Sequence, residues 1–174
     1  IYGEFMIKNF FNKIMVALYR IPWVKNRWAQ NFNAQESDTI PWTPLLKPLS
    51  NCKIALLTTG GVHLRSDAPF DMKDKYGDPT YRKIPSSVAL KDITITHDYY
   101  NHDDADQDIN LIFPIEILRD AQQKGLVGES AEFFYSFMGH IDKHHIKTLM
   151  EKTAKEVAHL LKKEKVDIAF IVPA

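Results

Sequence analysis

The apolar run Ile54-Ala55-Leu56-Leu57 passes without a break into Thr58-Thr59-Gly60-Gly61-Val62-His63. A short continuous apolar run bounded by glycine predicts a strand buried on both faces, as in a parallel sheet covered by helices. Two glycines immediately after it allow a sharp turn and close approach of the backbone to another group. In open α/β sheets ligands sit just beyond such carboxyl ends. A second run, Val166-Asp167-Ile168-Ala169-Phe170-Ile171-Val172, has the same buried character and leads to Pro173-Ala174.

Between these runs the pattern alternates. Ile93-Thr94-Ile95-Thr96 has the period of a strand with one less buried face. Pro114 suits the first turn of a helix carrying Ile115, Leu118 and Ala121 and ending at Gly125. Glu132 to Met138 fits a short strand, with Phe133 and Phe134 in its favour, although helix is an alternative. A long helix follows, capped by Asp142, with Ile146, Leu149, Met150, Thr153, Val157, Leu160 and Leu161 as its buried stripe. Lys162, Lys163 and Lys165 suit its carboxyl end, where the helix dipole favours positive charge. The expected fold class is α/β: an open, mainly parallel sheet flanked by helices, with an N-terminal helix and a proline-rich connector. Ile54–Thr58, Ile93–Thr96 and Val166–Val172 are expected to be parallel neighbours joined by right-handed crossovers.

Three regions are expected along the chain: an amphipathic helix in 1–22, a connector in 23–50 and the α/β domain in 51–174. Phe5 to Tyr19 places Met6, Ile7, Phe10, Phe11, Ile14 and Leu18 at helical spacing, with Pro22 as the stop. Pro22, Pro41, Pro44 and Pro48 punctuate what reads as an extended connector. The second buried run reaches Pro173-Ala174, where a functional loop is expected to begin, and truncation of the α/β domain at that end is one of the readings left open.

Composition narrows the function classes. Lys+Arg and Asp+Glu stand at 22 each, so no charge excess points to nucleic acid or an anionic membrane. The one cysteine, Cys52, excludes an intrachain disulfide or a multi-cysteine zinc site within these residues. It sits at the amino end of its strand and reads as a small buried apolar residue. No stretch reaches the roughly 18 uninterrupted apolar residues of a membrane span. The amino-terminal residues lack the basic-then-apolar order of a signal peptide, so a cytoplasmic location is expected.

The histidines and aspartates do not fall into a metal motif. A calcium loop starting at Asp104 would put Ile109 where glycine is needed and Ile115 where glutamate is needed. His97 and His102, with Asp98 or Asp103, match no zinc-helix spacing, and no metal is expected. Nucleotide-binding glycine patterns and a Gly-x-Ser-x-Gly elbow are also missing. What remains next to strand ends or in long loops is His63, Asp78, Arg82, His97 and Asn110. Arg82 offers a planar fork for a carboxylate, and His63 and His97 offer proton transfer near neutral pH. Both histidines follow predicted strands, so they are expected to line one concave site with Gly60-Gly61.

The ordered loop motifs are more specific. Pro41-Trp42-Thr43-Pro44-Leu45, Lys47-Pro48-Leu49-Ser50 and Thr58-Thr59-Gly60-Gly61-Val62-His63 come first. Pro69-Phe70-Asp71-Met72, Gly77-Asp78-Pro79-Thr80-Tyr81-Arg82-Lys83-Ile84-Pro85 and Thr96-His97-Asp98-Tyr99-Tyr100 follow. Asp104-Ala105-x-x-Asp108-x-Asn110-x-x-Phe113-Pro114 and Ser136-Phe137-Met138-Gly139 complete the series. From about Pro41 to Ala174 the chain resembles the glycine/sarcosine/betaine reductase selenoprotein B family, which is related to the D-proline reductase subunits.

The resemblance implies reductive carbon–nitrogen cleavage of a small amino-acid-like substrate by a thiol or selenol. It implies a pocket formed by Gly60, Gly61, His63, Arg82, His97 and the Ser136–Gly139 turn. Homo-oligomers or reductase-complex subunits are the implied partners. Short members of that family carry a Cys-x-x-Cys-like segment after the strand matching Val166–Ala174. A redox-active cysteine or selenocysteine is therefore expected beyond Ala174, and no cofactor within the chain. No catalytic residue can be assigned among the residues given. The alternative is a non-catalytic subunit of the same fold that binds a small ligand or joins a complex without the redox centre.

Overall fold

The computed structural model describes residues 14–15, 17–18, 20–31 and 42–174. The chain divides into two packed units, one of Ile1–Leu45 with Asp98–Asn101 and the other of Leu46–His97 with His102–Ala174.

In the first unit, Ile14, Met15, Ala17 and Leu18 are helical; most of the expected helix from Phe5 to Tyr19 lies outside the described residues. Helix α1 spans Pro22–Asn31. The expectation of an extended connector from Trp23 onward is corrected here. Pro22 opens a helix as well as closing the preceding one, because a first-turn residue needs no backbone N–H and the ring presets φ. The eight residues after it hold no further proline or glycine to break the turn.

The second unit is built on strands β1 (Ile54–Thr58), β2 (Val62–Leu64), β3 (Tyr81–Pro85), β4 (Ile93–Ile95), β5 (Phe133–Phe137) and β6 (Ile168–Val172). Its helices are α2 (Asp103–Gln107), α3 (Ile115–Gln123), α4 (His144–Thr148) and α5 (Ala154–Lys163). A four-stranded sheet runs β3-β5-β1-β6. β1 is parallel to both β5 and β6, while β3 closes the opposite edge antiparallel to β5. The fold is α/β, an open, mostly parallel sheet flanked by helices, as the alternating sequence pattern implies.

β1 is buried along its whole length, which its central place in the sheet requires. Ile84, Phe113, Ile115, Phe134, Tyr135 and Val157 complete the core around it. Phe113 and Phe134 meet edge-to-face at 5.9 Å, a favoured aromatic geometry.

Three expectations need correction. First, Ile93–Thr96 is not a parallel neighbour of β1 or β6. β4 pairs antiparallel with β2 in a separate two-stranded sheet, with His63 opposite Thr94. Gly61, at φ 70, turns the chain straight out of β1 into β2, and the segment from β2 to β4 supplies no crossover helix. The parallel neighbour on that side of β1 is β5. Second, β6 is an edge strand with Phe170 and Ile171 53% and 60% exposed, so its apolar run is not buried on both faces. Third, a π turn at Leu149–Thr153 joins α4 to α5. An extra residue in one turn rotates the face that follows. Met150 is therefore exposed, while Thr153, Val157 and Leu161 are buried. Asp142 also does not cap α4 as expected: its carboxylate accepts from the amide of Lys143, the next residue.

Candidate functional site

The carboxyl ends of β1, β5 and β6 meet at three close backbone crossings. The Gly61 amide donates to the Phe137 carbonyl at 3.0 Å, and Thr96 donates back to the Gly61 carbonyl at 3.0 Å. A Cβ on Gly61 would stand 2.5 Å from the Thr96 carbonyl and 3.2 Å from His97 Cβ. Glycine is needed there for both its positive φ and its lack of volume. At Gly139 a Cβ would reach the carbonyl oxygens of Thr59 and Ala174 at 3.1 and 3.2 Å. Ala174 donates its amide to Thr59 Oγ1 at 3.0 Å. The residue that ends β6's segment is thus tied to the residue that follows β1, beside Gly60 and Gly139.

His97 sits in this junction and is only 4% exposed. The Gly139 amide donates to its Nε2 at 3.2 Å, so the neutral ring carries its proton on Nδ1. Burial, with the nearby His140 and His102 charges, holds its pKa down to about 4. The expectation that His97 transfers protons near neutral pH is corrected: at pH 7 it is a neutral hydrogen-bonding group. His63 is equally buried. Its Nδ1 lies 2.7 Å from the Leu64 carbonyl and therefore bears the proton; its Nε2 accepts from Thr96 Oγ1 at 2.8 Å. Thr96 links the two imidazoles, being bonded to one and adjacent in sequence to the other.

The structure therefore brings together Gly60, Gly61, His63, His97 and Gly139. Asp78 and Arg82 serve a different arrangement. Arg82 donates to the carbonyls of Ala68, Pro69 and Tyr81 and to Thr80 Oγ1, and lies over the Phe70 ring at 4.2 Å. Its fork thus fastens its own loop. Asp78 is buried, which by itself would raise its pKa. Bonds from Thr80 and the Asp71 amide, with Arg82 at 3.6 Å, outweigh this and hold the carboxyl below the usual range. The Asp78 amide contacts Met138 Sδ at 3.3 Å, so this knot supports the turn that ends in Gly139. Ser136 is fully buried inside β5. Asn110 binds the Glu116 amide and carboxylate, securing the first turn of α3.

Sequence reasoning missed Thr59, Thr96 and Ile112. Ile112 packs where a Cβ on Gly60 would be, with Cδ1 at 2.7 Å from that position. The Thr58-Thr59 pair at the end of an apolar strand was the available signal for one of them. Cys52, fully buried at the amino end of β1, lies at the opposite edge from Gly60, with Sγ 3.3 Å from the Pro48 carbonyl.

Comparison with known proteins gives the chain a family. The family described as glycine/sarcosine/betaine reductase selenoprotein B matches residues 21–174. D-proline reductase subunit gamma of Acetoanaerobium sticklandii is 34% identical over 130 residues, covering 75% of this chain and 52% of that protein. Sarcosine reductase complex component B subunit beta of Peptoclostridium acidaminophilum is 28% identical over 109 residues, covering 59% and 24%. Glycine reductase complex component B subunit gamma of Symbiobacterium thermophilum is 27% identical over 141 residues, covering 77% and 31%. The chain thus spans about half of the first relative and less of the others. No solved structure matches. Among the described residues no helix is long and apolar enough to cross a membrane.

Proposed function

Because the chain belongs to the glycine/sarcosine/betaine reductase selenoprotein B family, we propose that it is the substrate-binding part of a thiol- or selenol-dependent reductase. The substrate class is a small amino-acid-like molecule, and the reaction is reductive carbon–nitrogen cleavage. The observation that carries this reading is the position of Ala174. Its amide is bonded to Thr59, and it packs beside Gly60 and against Gly139, next to His97. A redox-active cysteine or selenocysteine following Ala174 fits this cradle, because the chain leaves β6 at the converging strand ends. Such a group would supply the nucleophile for carbon and, with a resolving thiol, the two electrons of the cleavage.

This chain's own residues then have defined tasks. Gly60, Gly61 and Gly139 let three backbone segments approach within contact distance, which fixes the geometry of the cradle. Neutral His97 holds the Gly139 turn and adds no positive charge beside a substrate amine. His63, locked by Thr96 and Leu64, braces the strand behind it. Work in a reducing cytoplasm, as one subunit of a reductase complex or as a homo-oligomer, belongs to the same proposal, since the relatives are named as subunits of such enzymes.

The test compares this chain with a version carrying the native residues beyond Ala174. Each is supplied with a dithiol and with glycine, sarcosine, betaine or D-proline, and amine release (ring opening for D-proline) is measured. The extended protein, with its complex partners, is expected to turn over one of them. The shorter chain is expected to bind that substrate, seen as a rise in melting temperature, without turnover. Binding by both with turnover by neither would favour the non-catalytic subunit. Turnover by the shorter chain that vanishes on Cys52→Ser would overturn the assignment of the nucleophile.

A further inference from the structure

Asp74, His144 and His145 bring one carboxylate oxygen and two ring nitrogens within 4.8 Å of one another. Among the described residues this is the one such convergence of three metal-capable side chains. It is built from two segments far apart in sequence, the loop before β3 and the first turn of α4. His145 Nε2 and Asp74 Oδ2 lie 2.9 Å apart across 71 positions. The His144 and His145 rings lie 4.1 Å apart, and the edge of one ring of the Tyr76–His144 pair meets the face of the other at 5.5 Å.

The surroundings orient each group. The Tyr76 amide donates to Asp74 Oδ1 at 2.8 Å and leaves Oδ2 turned toward the imidazole. The Asp142 amide donates to the Tyr76 carbonyl at 2.9 Å, and His140 Nε2 lies 3.0 Å from the Lys75 carbonyl. A bridge between Gly77 and Ile141 adds a third tie between the segments. Lys143, immediately before the two histidines, holds φ 52, a conformation a lysine adopts only when its surroundings impose it. Lys75 Nζ stands over the Tyr76 ring at 4.8 Å.

We propose that Asp74, His144 and His145 bind one divalent transition-metal cation of the zinc class, clamping the loop before β3 to the start of α4. Imidazole nitrogen and carboxylate oxygen are the ligand types that zinc takes, at about 2.0–2.2 Å in a tetrahedron. That geometry sets ligand atoms about 3.4 Å apart. Separations within 4.8 Å close to it by side-chain rotation. Three protein ligands leave one position for water. The ion takes the place of the hydrogen bond between Asp74 and His145, the neutral His145 ring then carrying its proton on Nδ1, and puts three coordinate bonds where one hydrogen bond stood. The clamp stiffens the loop that carries Asp78 and hence the support under Met138 and Gly139.

The test uses tag-free protein of the full chain, stripped with a chelator and titrated with Zn2+ alone. One Zn2+ per chain and a raised melting temperature are expected. Co2+ in its place should give the intense visible absorption of a four-coordinate site. Asp74→Asn, which keeps an acceptor for Tyr76, and His145→Gln should each weaken binding at least about tenfold. His102→Gln, outside the cluster, should leave binding unchanged. The Co2+ spectrum of the unaltered chain stands whatever the variants do to folding. Failure to bind Zn2+, a six-coordinate Co2+ spectrum, or binding that survives both substitutions would overturn the proposal.

Discussion

His97 shows how a single buried side chain couples folding to proton uptake. In the unfolded chain its pKa returns to about 6.5. In the folded protein it is held near 4 by burial and by the charges of His140 and His102. Between those values the unfolded state binds the extra proton, so stability rises with pH through that window and is lost as pH falls from about 6.5 to about 4. A separation of that size is worth on the order of 3 kcal/mol. Urea unfolding at a series of pH values should show a steeper acid loss in the unaltered chain than in His97→Gln, which keeps an acceptor for the Gly139 amide but cannot ionise. Equal slopes would remove His97 from this role. The sequence marked His97 as a site residue because it follows a strand. It did not reveal its charge state, which follows from burial in the folded junction and from His140 and His102 beside it.

At the scale of the element, the Gly60-Gly61 turn decides where two strands go. Local pattern identified β1, β6 and α3 because each is bounded by its own glycine, proline or polar residues, while Glu132 to Met138 was compatible with either strand or helix and proved to hold β5. Pairing was less legible. Ile93-Thr94-Ile95-Thr96 has the same alternation whether its partner is parallel or antiparallel, and the outcome rests on how sharply Gly61 turns. The gathering of Asp74 with His145 was invisible for a related reason: metal motifs are read at short spacing, and these lie in separate elements. Two substitutions measure the turn. Gly125 follows α3 at φ 68 with nothing within 4 Å of an added Cβ. Gly125→Ala should cost only the left-handed backbone penalty, about 1 kcal/mol. Gly61→Ala meets the Thr96 carbonyl as well, and that carbonyl belongs to a backbone fixed by the bond from Thr96 to Gly61. Its cost should be at least about 3 kcal/mol by denaturant unfolding. Equal costs at the two glycines would show that the β1–β2 turn is not held as described.

At the scale of the whole second unit, apolar surface is unevenly distributed. The β3 edge of the sheet is carried by Tyr81, Arg82 and Lys83, whose long side chains are tied to the loop or lie on aromatic rings. The β6 edge is apolar, with Phe170 and Ile171 more than half exposed. Beside it a cleft of about 450 Å³ opens between α3 and the sheet, lined by Leu56, Ile117, Leu118, Ala121, Ile168 and Phe170 among others. Apolar surface left in water forgoes about 25 cal/mol per Å², and a contiguous patch is the usual mark of a surface that something covers. The sequence disclosed the apolar character of Val166–Val172 but not that it lies at an edge, since burial on both faces and exposure awaiting a cover read alike. An environment-sensitive apolar dye should therefore brighten with this chain while it remains cooperatively folded. Ile117→Lys combined with Phe170→Lys places a charge on each wall of the cleft. That pair should abolish the signal with little change in melting temperature, because both side chains are already largely exposed. A dye signal that persists in the double variant would locate the accessible apolar surface elsewhere.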